Sequence, residues 1–398
     1  MPRIAASSLA LIALAFAAPI VGDEPARGPA KEGAVGAPLE YSGPGRETPE
    51  PADVTEVRIG YFGPSDPAHP DGGDPWSAAQ LAIDRANRQG GYRGKPFRLV
   101  AGWSDNPWTA GARHVTKMVF VDKVWAIVGG IDGPSTHLAE QVVAKANLAL
   151  VSPVATDRTA NSAFVPWMFS LLPGDDVLAP LAAEQLARDP GAGGLVVVSG
   201  DDHDSRVFAA KLARALAKRK IVPQNQFVYA DAPGDPGPVV ARAMGSKPRS
   251  LAVLAGPLAS ARLVVALRDA GYRGPIFGGP WMGRRGFVDK AGRAAEGVVF
   301  PLVYSPKDGA RGFDAEFARR FHRPPDYAAA GTYDAVTLVV AAVRKAGLNR
   351  ARIGDALRGL SGWEGVLGDL RWDRLGGNAR SATLGTIRNG RAVPLAAP

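Results

Sequence analysis

A chain of 398 residues with 46% hydrophobic content can bury a sizeable core and divide into about two domains. It has no cysteine and only five scattered histidines, His69, His114, His137, His203 and His322. That excludes disulfides, thiolate metal sites and cysteine nucleophiles, and with no histidine pair at helical ligand spacing no metal site is expected. The formal charge of +9 is spread singly among acids, so it reads as a solvated basic surface and not as a nucleic-acid interface.

The chain opens with Arg3 ahead of an Ala-rich apolar run, and Ala15-Phe16-Ala17 offers a small-x-small cleavage pattern. A secretory signal peptide over residues 1–18, cut after Ala17 or Ala18, is expected. Without cysteine the secreted product carries no lipid anchor and is expected to be soluble. Residues 19–55 are rich in Gly, Pro, Ala and Glu without periodicity and read as a disordered leader.

From Glu56 the rhythm changes. EVRIGYF alternates as a strand and runs into a long turn-rich loop; a helix is expected from about Trp76 to Gln89, then the strand FRLVAGW ending at Trp103. WAIV and LALVS are short buried strands on either side of a helix opened by Pro134-Ser135-Thr136. Strands alternating with helices at this spacing predict parallel sheets covered on both faces. VPWMFSLLPGDD breaks the rhythm and reads as the first crossing between domains. A second series follows with GLVVVSG, QFVYA, SLAVLAG ending at Gly256, PIFGG and EGVVFPLV, then helices, then hairpin-like segments.

The loops after WAIV and LALVS hold Asp132, Gly133, Ser135 and Thr136, and Val154, Ala155 and Thr156. Two successive parallel strands deliver both loops to one carboxyl-end edge, where open α/β sheets bind ligands. A helix N-terminus and hydroxyls there suit an anionic or carbonyl group.

In order and spacing, IGYFGP, AIDRANRQGGYRGKPFRLV, VWAIVGG, LVSPVAT, DKAGRAAEGVVF, PPDYAAAGTYDAV and LRWDRLGGN resemble the leucine/isoleucine/valine-type periplasmic solute-binding proteins of ABC importers. The resemblance covers nearly all of Glu56 to Leu395. It implies an α/β, type I periplasmic-binding fold: two Rossmann-like lobes with parallel sheets, joined by a three-crossover hinge. The lobes are expected at 56–173 plus 305–382 and at 174–304 plus 383–398. It further implies a monomeric periplasmic protein without cofactor, with a small-molecule solute and ABC permease membrane subunits as partners and no nucleic acid.

In amino-acid-binding members the loops matching Gly133–Thr136 and Val154–Thr156 hold the ligand carboxylate. Thr156 is kept, but Gly133 and Pro134 stand where such members have serine, leaving Ser135 as the nearby hydroxyl. The second-lobe loop that commonly supplies an acid for the ammonium group has Pro280 and Trp281 instead. His203 replaces a usual tyrosine, and Trp103 stands where many relatives carry aspartate. Unless Asp202 or Asp132 substitutes, these departures favour an aromatic or otherwise apolar carboxylate, or a neutral solute, over a free amino acid, because a buried ammonium needs a carboxylate partner. Trp103, Trp281 and Trp76 would offer aromatic faces. A ligand sensor of the same fold is the alternative to transport. Catalysis is not expected, since no nucleophile elbow, Walker loop or dinucleotide fingerprint is present.

Overall fold

The computed structural model describes residues 39–106, 110–189, 191–230, 234–305 and 312–396. Five strands, β1 (Val57–Phe62), β2 (Phe97–Gly102), β3 (Ile127–Gly129), β4 (Leu150–Ser152) and β5 (Met168–Ser170), form one parallel sheet in the order β2-β1-β3-β4-β5. The second sheet takes β6 (Leu195–Gly200), β7 (Asn225–Tyr229), β8 (Ser250–Leu254), β9 (Ile276–Gly278) and β10 (Val299–Leu302). A two-stranded hairpin, β11 (Glu364–Gly365) and β12 (Gly368–Asp369), stands apart, while β13 (Thr383–Arg388) and β14 (Arg391–Pro394) extend the second sheet antiparallel. Its full order is β14-β13-β10-β9-β8-β6-β7. Counted within its own layer, β6 to β10 repeat the 2-1-3-4-5 order of the first sheet, so each layer has a topological switch point, at β1/β3 and at β6/β8.

Burial explains the strand compositions. β8, SLAVL, is buried at every position, as a central parallel strand covered on both faces must be, whereas the edge strand β7, NQFVY, largely alternates between exposed and covered positions. The VPWMFSLLPGDD segment is more ordered than expected. Its MFS core is β5, and the chain crosses to the second sheet just after it.

The helices follow in chain order: α1 (Gly73–Arg88), α2 (Ala112–Thr116, continuing as a π-turn to Val121), α3 (Gly133–Ala146), α4 (Asp175–Arg188), α5 (His203–Lys218) and α6 (Gly237–Gly245). Then come α7 (Pro257–Asp269), α8 (Arg285–Ala291), α9 (Phe313–Phe321), α10 (Tyr327–Ala346) and α11 (Arg350–Arg358). Helix α10 returns from the second sheet to pack on α1, β3 and β4. Gly331 permits this approach, because a Cβ there would sit 2.4 Å from the Pro153 carbonyl oxygen. The loop after β4 is thereby pinned from behind.

Residues 39–55 correct the expectation of a disordered leader. Glu50 accepts the Tyr92 hydroxyl at 2.6 Å, Arg46 pairs with Asp355 at 2.6 Å, and Asn349 Nδ2 donates to the Gly45 and Thr48 carbonyls. Low hydrophobicity hid this strap, which is held by polar contacts. The expected signal peptide lies outside the described residues.

Candidate functional site

A cavity of about 220 Å³ opens between the carboxyl ends of the two sheets. Its walls are loops from three central strands of each layer. The first layer contributes Asp71 after β1, Ile131, Asp132 and Pro134 after β3, and Val154 to Thr156 after β4; the second contributes Asp202 to Ser205 after β6, Gly256 and Pro257 after β8, and Trp281 and Arg284 after β9. Tyr327, the first residue of α10, closes the back.

Of the residues expected from sequence, Asp132, Val154, Ala155, Thr156, Asp202, His203, Gly256 and Trp281 line the cavity. Gly133, Ser135, Thr136 and Pro280 adjoin it but do not line it. The two hydroxyls are turned inward for structural reasons. Asp132 caps α3 by accepting from Ser135 N at 2.8 Å, the Ser135 hydroxyl also bonds Asp132, and Thr136 Oγ1 donates to the Asp132 carbonyl at 2.7 Å. Ser135 is fully buried and Thr136 nearly so; neither presents a hydroxyl to a solute. Pro280 is buried in the short turn that positions Trp281.

Trp103 is also absent from the cavity. Its ring leans on Phe62 at 5.4 Å and its indole N–H donates to Asp105 at 3.0 Å. The cause is topological: β2 is the edge strand of its sheet, so its carboxyl end lies away from the centre. Trp76 packs on Tyr61 at 5.1 Å and does not reach the cavity either. Trp103→Ala is expected to change solute affinity by less than about twofold, as a titration would show.

Asp204 was missed from sequence and is central to the electrostatics. From the first turn of α5 its two carboxylate oxygens accept the Gly133 N–H at 3.2 and 3.0 Å, joining the start of α3 to the start of α5 across the cleft. A Cβ on residue 133 would lie 2.2 Å from Asp204 Oδ1. Glycine stands where the resemblance implies serine because a carboxylate from the facing layer fills that space. Burial, then the neighbouring Asp132 charge, pushes the Asp204 carboxyl well up; burial likewise raises Asp132. The loop carrying Trp281 brings no acid to the cavity, and Asp132, Asp202 and Asp204 bring carboxyl groups to it from other loops.

Arg284 supplies the opposite charge. It is 5% exposed, its Nε donates to Asp326 at 2.8 Å and its Nη2 to the Asp71 carbonyl at 2.7 Å. Burial opposes its charge, but the Asp326 carboxylate, together with Tyr327 and Asp71 beside it, outweighs burial and raises its pKa further. Beside it Arg285 donates to Asp74 at 2.7 Å, and Arg323 meets the same carboxylate at 2.5 Å. These pairs tie α8 of the second layer to α1 and the start of α10.

Thr156 is tied to the first crossing. Its carbonyl accepts the Asp175 N–H at 2.9 Å and its side chain hydrogen-bonds the Asp175 carboxyl. Asp175 is 1% exposed, and burial pushes its pKa up to about 6 despite that bond. Between about pH 4 and that value the folded chain holds a proton that the unfolded chain has released, so stability falls as pH rises through the window, by up to about 3 kcal/mol. Asp175→Asn is expected to flatten this slope in denaturant titrations run across the same range.

The expectation of no metal-ligating set rested on spacing along the chain, and the fold overrides it. His137 on α3, Asp157 after β4 and His203 on α5 come together with their ligating atoms all within 4.8 Å of one another.

Two α/β layers of repeated topology facing one small cleft are the architecture of a hinged binding protein. The chain belongs to the periplasmic binding protein family, whose model matches residues 56–391. Its fold superposes on the substrate-binding protein LivJ of a branched-chain amino acid transporter from Streptococcus pneumoniae, solved with isoleucine. The TM-score is 0.77 at 23% identity, covering 85% of this chain and 97% of that one. A solute-binding protein of an ABC transporter from R. palustris, solved with benzoate, gives a TM-score of 0.78 at 16% identity over 85% of this chain and 95% of the other. These likenesses establish the type I periplasmic-binding fold. An amino acid binding protein of Pseudomonas aeruginosa is 25% identical over 163 residues, 41% of this chain and 42% of that relative, so the match spans less than half of either. Among the described residues no helix is long and apolar enough to cross a membrane.

Proposed function

We propose that this protein is the extracytoplasmic substrate-binding component of an ABC importer, capturing one small organic solute between two lobes. The lobes comprise residues 56–173 with 305–382 and residues 174–304 with 383–398. The observation that carries the reading is the convergence of six carboxyl-end loops, three from each sheet, on one cavity. A ligand touching both layers is held best when they are closed together, so binding shifts the population toward closure. Family membership supports delivery to a permease, a periplasmic location and a monomeric state.

The cavity's size and charge narrow the solute. At about 220 Å³ it falls below the ~300–1,000 Å³ usual for drug-sized ligands. Asp71, Asp132, Asp202 and Asp204 give it carboxyl groups, Arg284 a guanidinium, and Trp281 and Tyr327 aromatic surface. An amino-acid-like solute, with its ammonium group toward the acids and an apolar side chain toward the rings, fits this lining. The acids make a simple aromatic carboxylate the weaker candidate.

Thermal-shift screening tests this. An α-amino acid should stabilise the protein more than its deaminated analogue of equal side chain, and at a hundredfold excess over Kd by about 2.7 kcal/mol. Equal or greater stabilisation by the deaminated acids would refute the assigned solute class.

A further inference from the structure

His137 Nε2 and His203 Nε2 lie 3.1 and 2.9 Å from one oxygen, Asp157 Oδ2. The imidazole rings stand edge to face, 76° apart with centroids at 5.9 Å, so the two nitrogens converge on the carboxylate instead of stacking past it. A tetrahedral ion with donors at ~2.0–2.1 Å needs those donors roughly 3.3 Å from one another. The two imidazole–carboxylate separations already approach that spacing, and with all three ligating atoms within 4.8 Å of one another, drawing the two imidazoles together would admit an ion.

The surroundings favour such an ion. Asp157 is 2% exposed; its Oδ1 accepts from Thr159 N at 2.9 Å, and Thr159 Oγ1 lies 2.8 Å from both carboxylate oxygens and 2.6 Å from His137 Nε2, so this hydroxyl holds the carboxylate and one imidazole together. Such outer bonds orient metal ligands. The two histidine side chains are 24% and 36% exposed, leaving a path for entry and room for a water in the fourth position. Asp132 and Asp202 of the same cleft add negative charge. Two imidazoles and one carboxylate suit zinc or its first-row neighbours over calcium or magnesium, and the chain has no thiolate to compete.

We propose that His137, Asp157 and His203 form a divalent transition-metal site of the zinc class that bridges the two layers. His137 and Asp157 come from the first and His203 from the second, so a bound ion ties α3 to α5 and holds the cleft closed. The site is independent of which solute the cleft takes.

Tag-free full-length protein titrated with Zn²⁺ by calorimetry, and with Co²⁺ by visible absorption, tests the assignment. One ion per chain is expected, with Kd at or below about 10 μM and cobalt bands of a four-coordinate site. His137→Ala and His203→Ala should each weaken binding at least about thirtyfold, while His322→Ala, outside the cluster, leaves it unchanged. Circular dichroism and thermal midpoints without metal confirm that each variant folds. Should either partly exposed histidine prove needed for folding, His→Gln at the same position serves instead. Zinc binding weaker than about 10 μM, or affinity untouched in both variants, overturns the site; loss in only one of the two overturns the bridge between layers.

Discussion

Arg284→Met is expected to destabilise the protein by about 3–5 kcal/mol, the usual consequence of removing one partner of a buried ion pair. The guanidinium and the Asp326 carboxylate are each nearly inaccessible to water. Asp326 also accepts the backbone N–H groups of Arg285, Ala328 and Ala329, at 3.1, 2.9 and 3.1 Å. Without Arg284 the carboxylate stays buried against these donors alone, and the Asp71 carbonyl loses its partner. Because Asp326 caps α10 while Arg284 belongs to the second layer, the damage should appear in closure as well as in folding, with solute affinity falling together with the denaturation midpoint. The double variant Arg284→Met/Asp326→Leu should recover part of the stability, since it removes the orphaned charge, but not the affinity. A single variant within about 0.5 kcal/mol of wild type would show that the pair carries no such weight.

Trp281→Ala is the second large effect, at about 3–5 kcal/mol of stability. The indole is 7% exposed, meets Phe208 edge-on at 5.3 Å and donates its N–H to Ser260 Oγ at 3.2 Å. Truncation leaves a void between α7 and α5 and removes one wall of the cavity, so solute binding should be lost. Trp281→Phe separates the two roles. It keeps an aromatic surface and forfeits the Ser260 bond, which costs about 1 kcal/mol; affinity should fall only severalfold. Equal loss in both variants, read by calorimetry and denaturation, would assign the binding role to the indole N–H instead of the ring face.

Short-range pattern made much of this molecule readable. Alternation in EVRIGYF, the buried runs WAIV and SLAVLAG, and Gly, Pro and hydroxyl residues at strand ends located the parallel layers and the loops after β3, β4, β6 and β8. Position across the sheet was not readable, and there the assignment of Trp103 failed: a tryptophan ending a central strand faces the cleft, whereas one ending the edge strand β2 does not. Hydroxyls misled for a related reason. Ser135 and Thr136 satisfy the start of their own helix before any ligand can use them. Asp204, Arg284 and Tyr327 were missed because their roles exist only where one layer meets the other. The His137, Asp157 and His203 cluster was hidden in the same way, by ligand spacing that exists in space and not along the chain.

The central claim is that one small solute occupies the cavity between the layers. Its most direct test is calorimetric titration of the best-stabilising amino acid into the wild type and into Ala155→Trp, whose indole would fill the cavity from the loop after β4. The account predicts one site per chain in the wild type and no detectable binding to a variant that remains folded by circular dichroism. Undiminished binding to the folded, cavity-filled variant would place the solute elsewhere and contradict it.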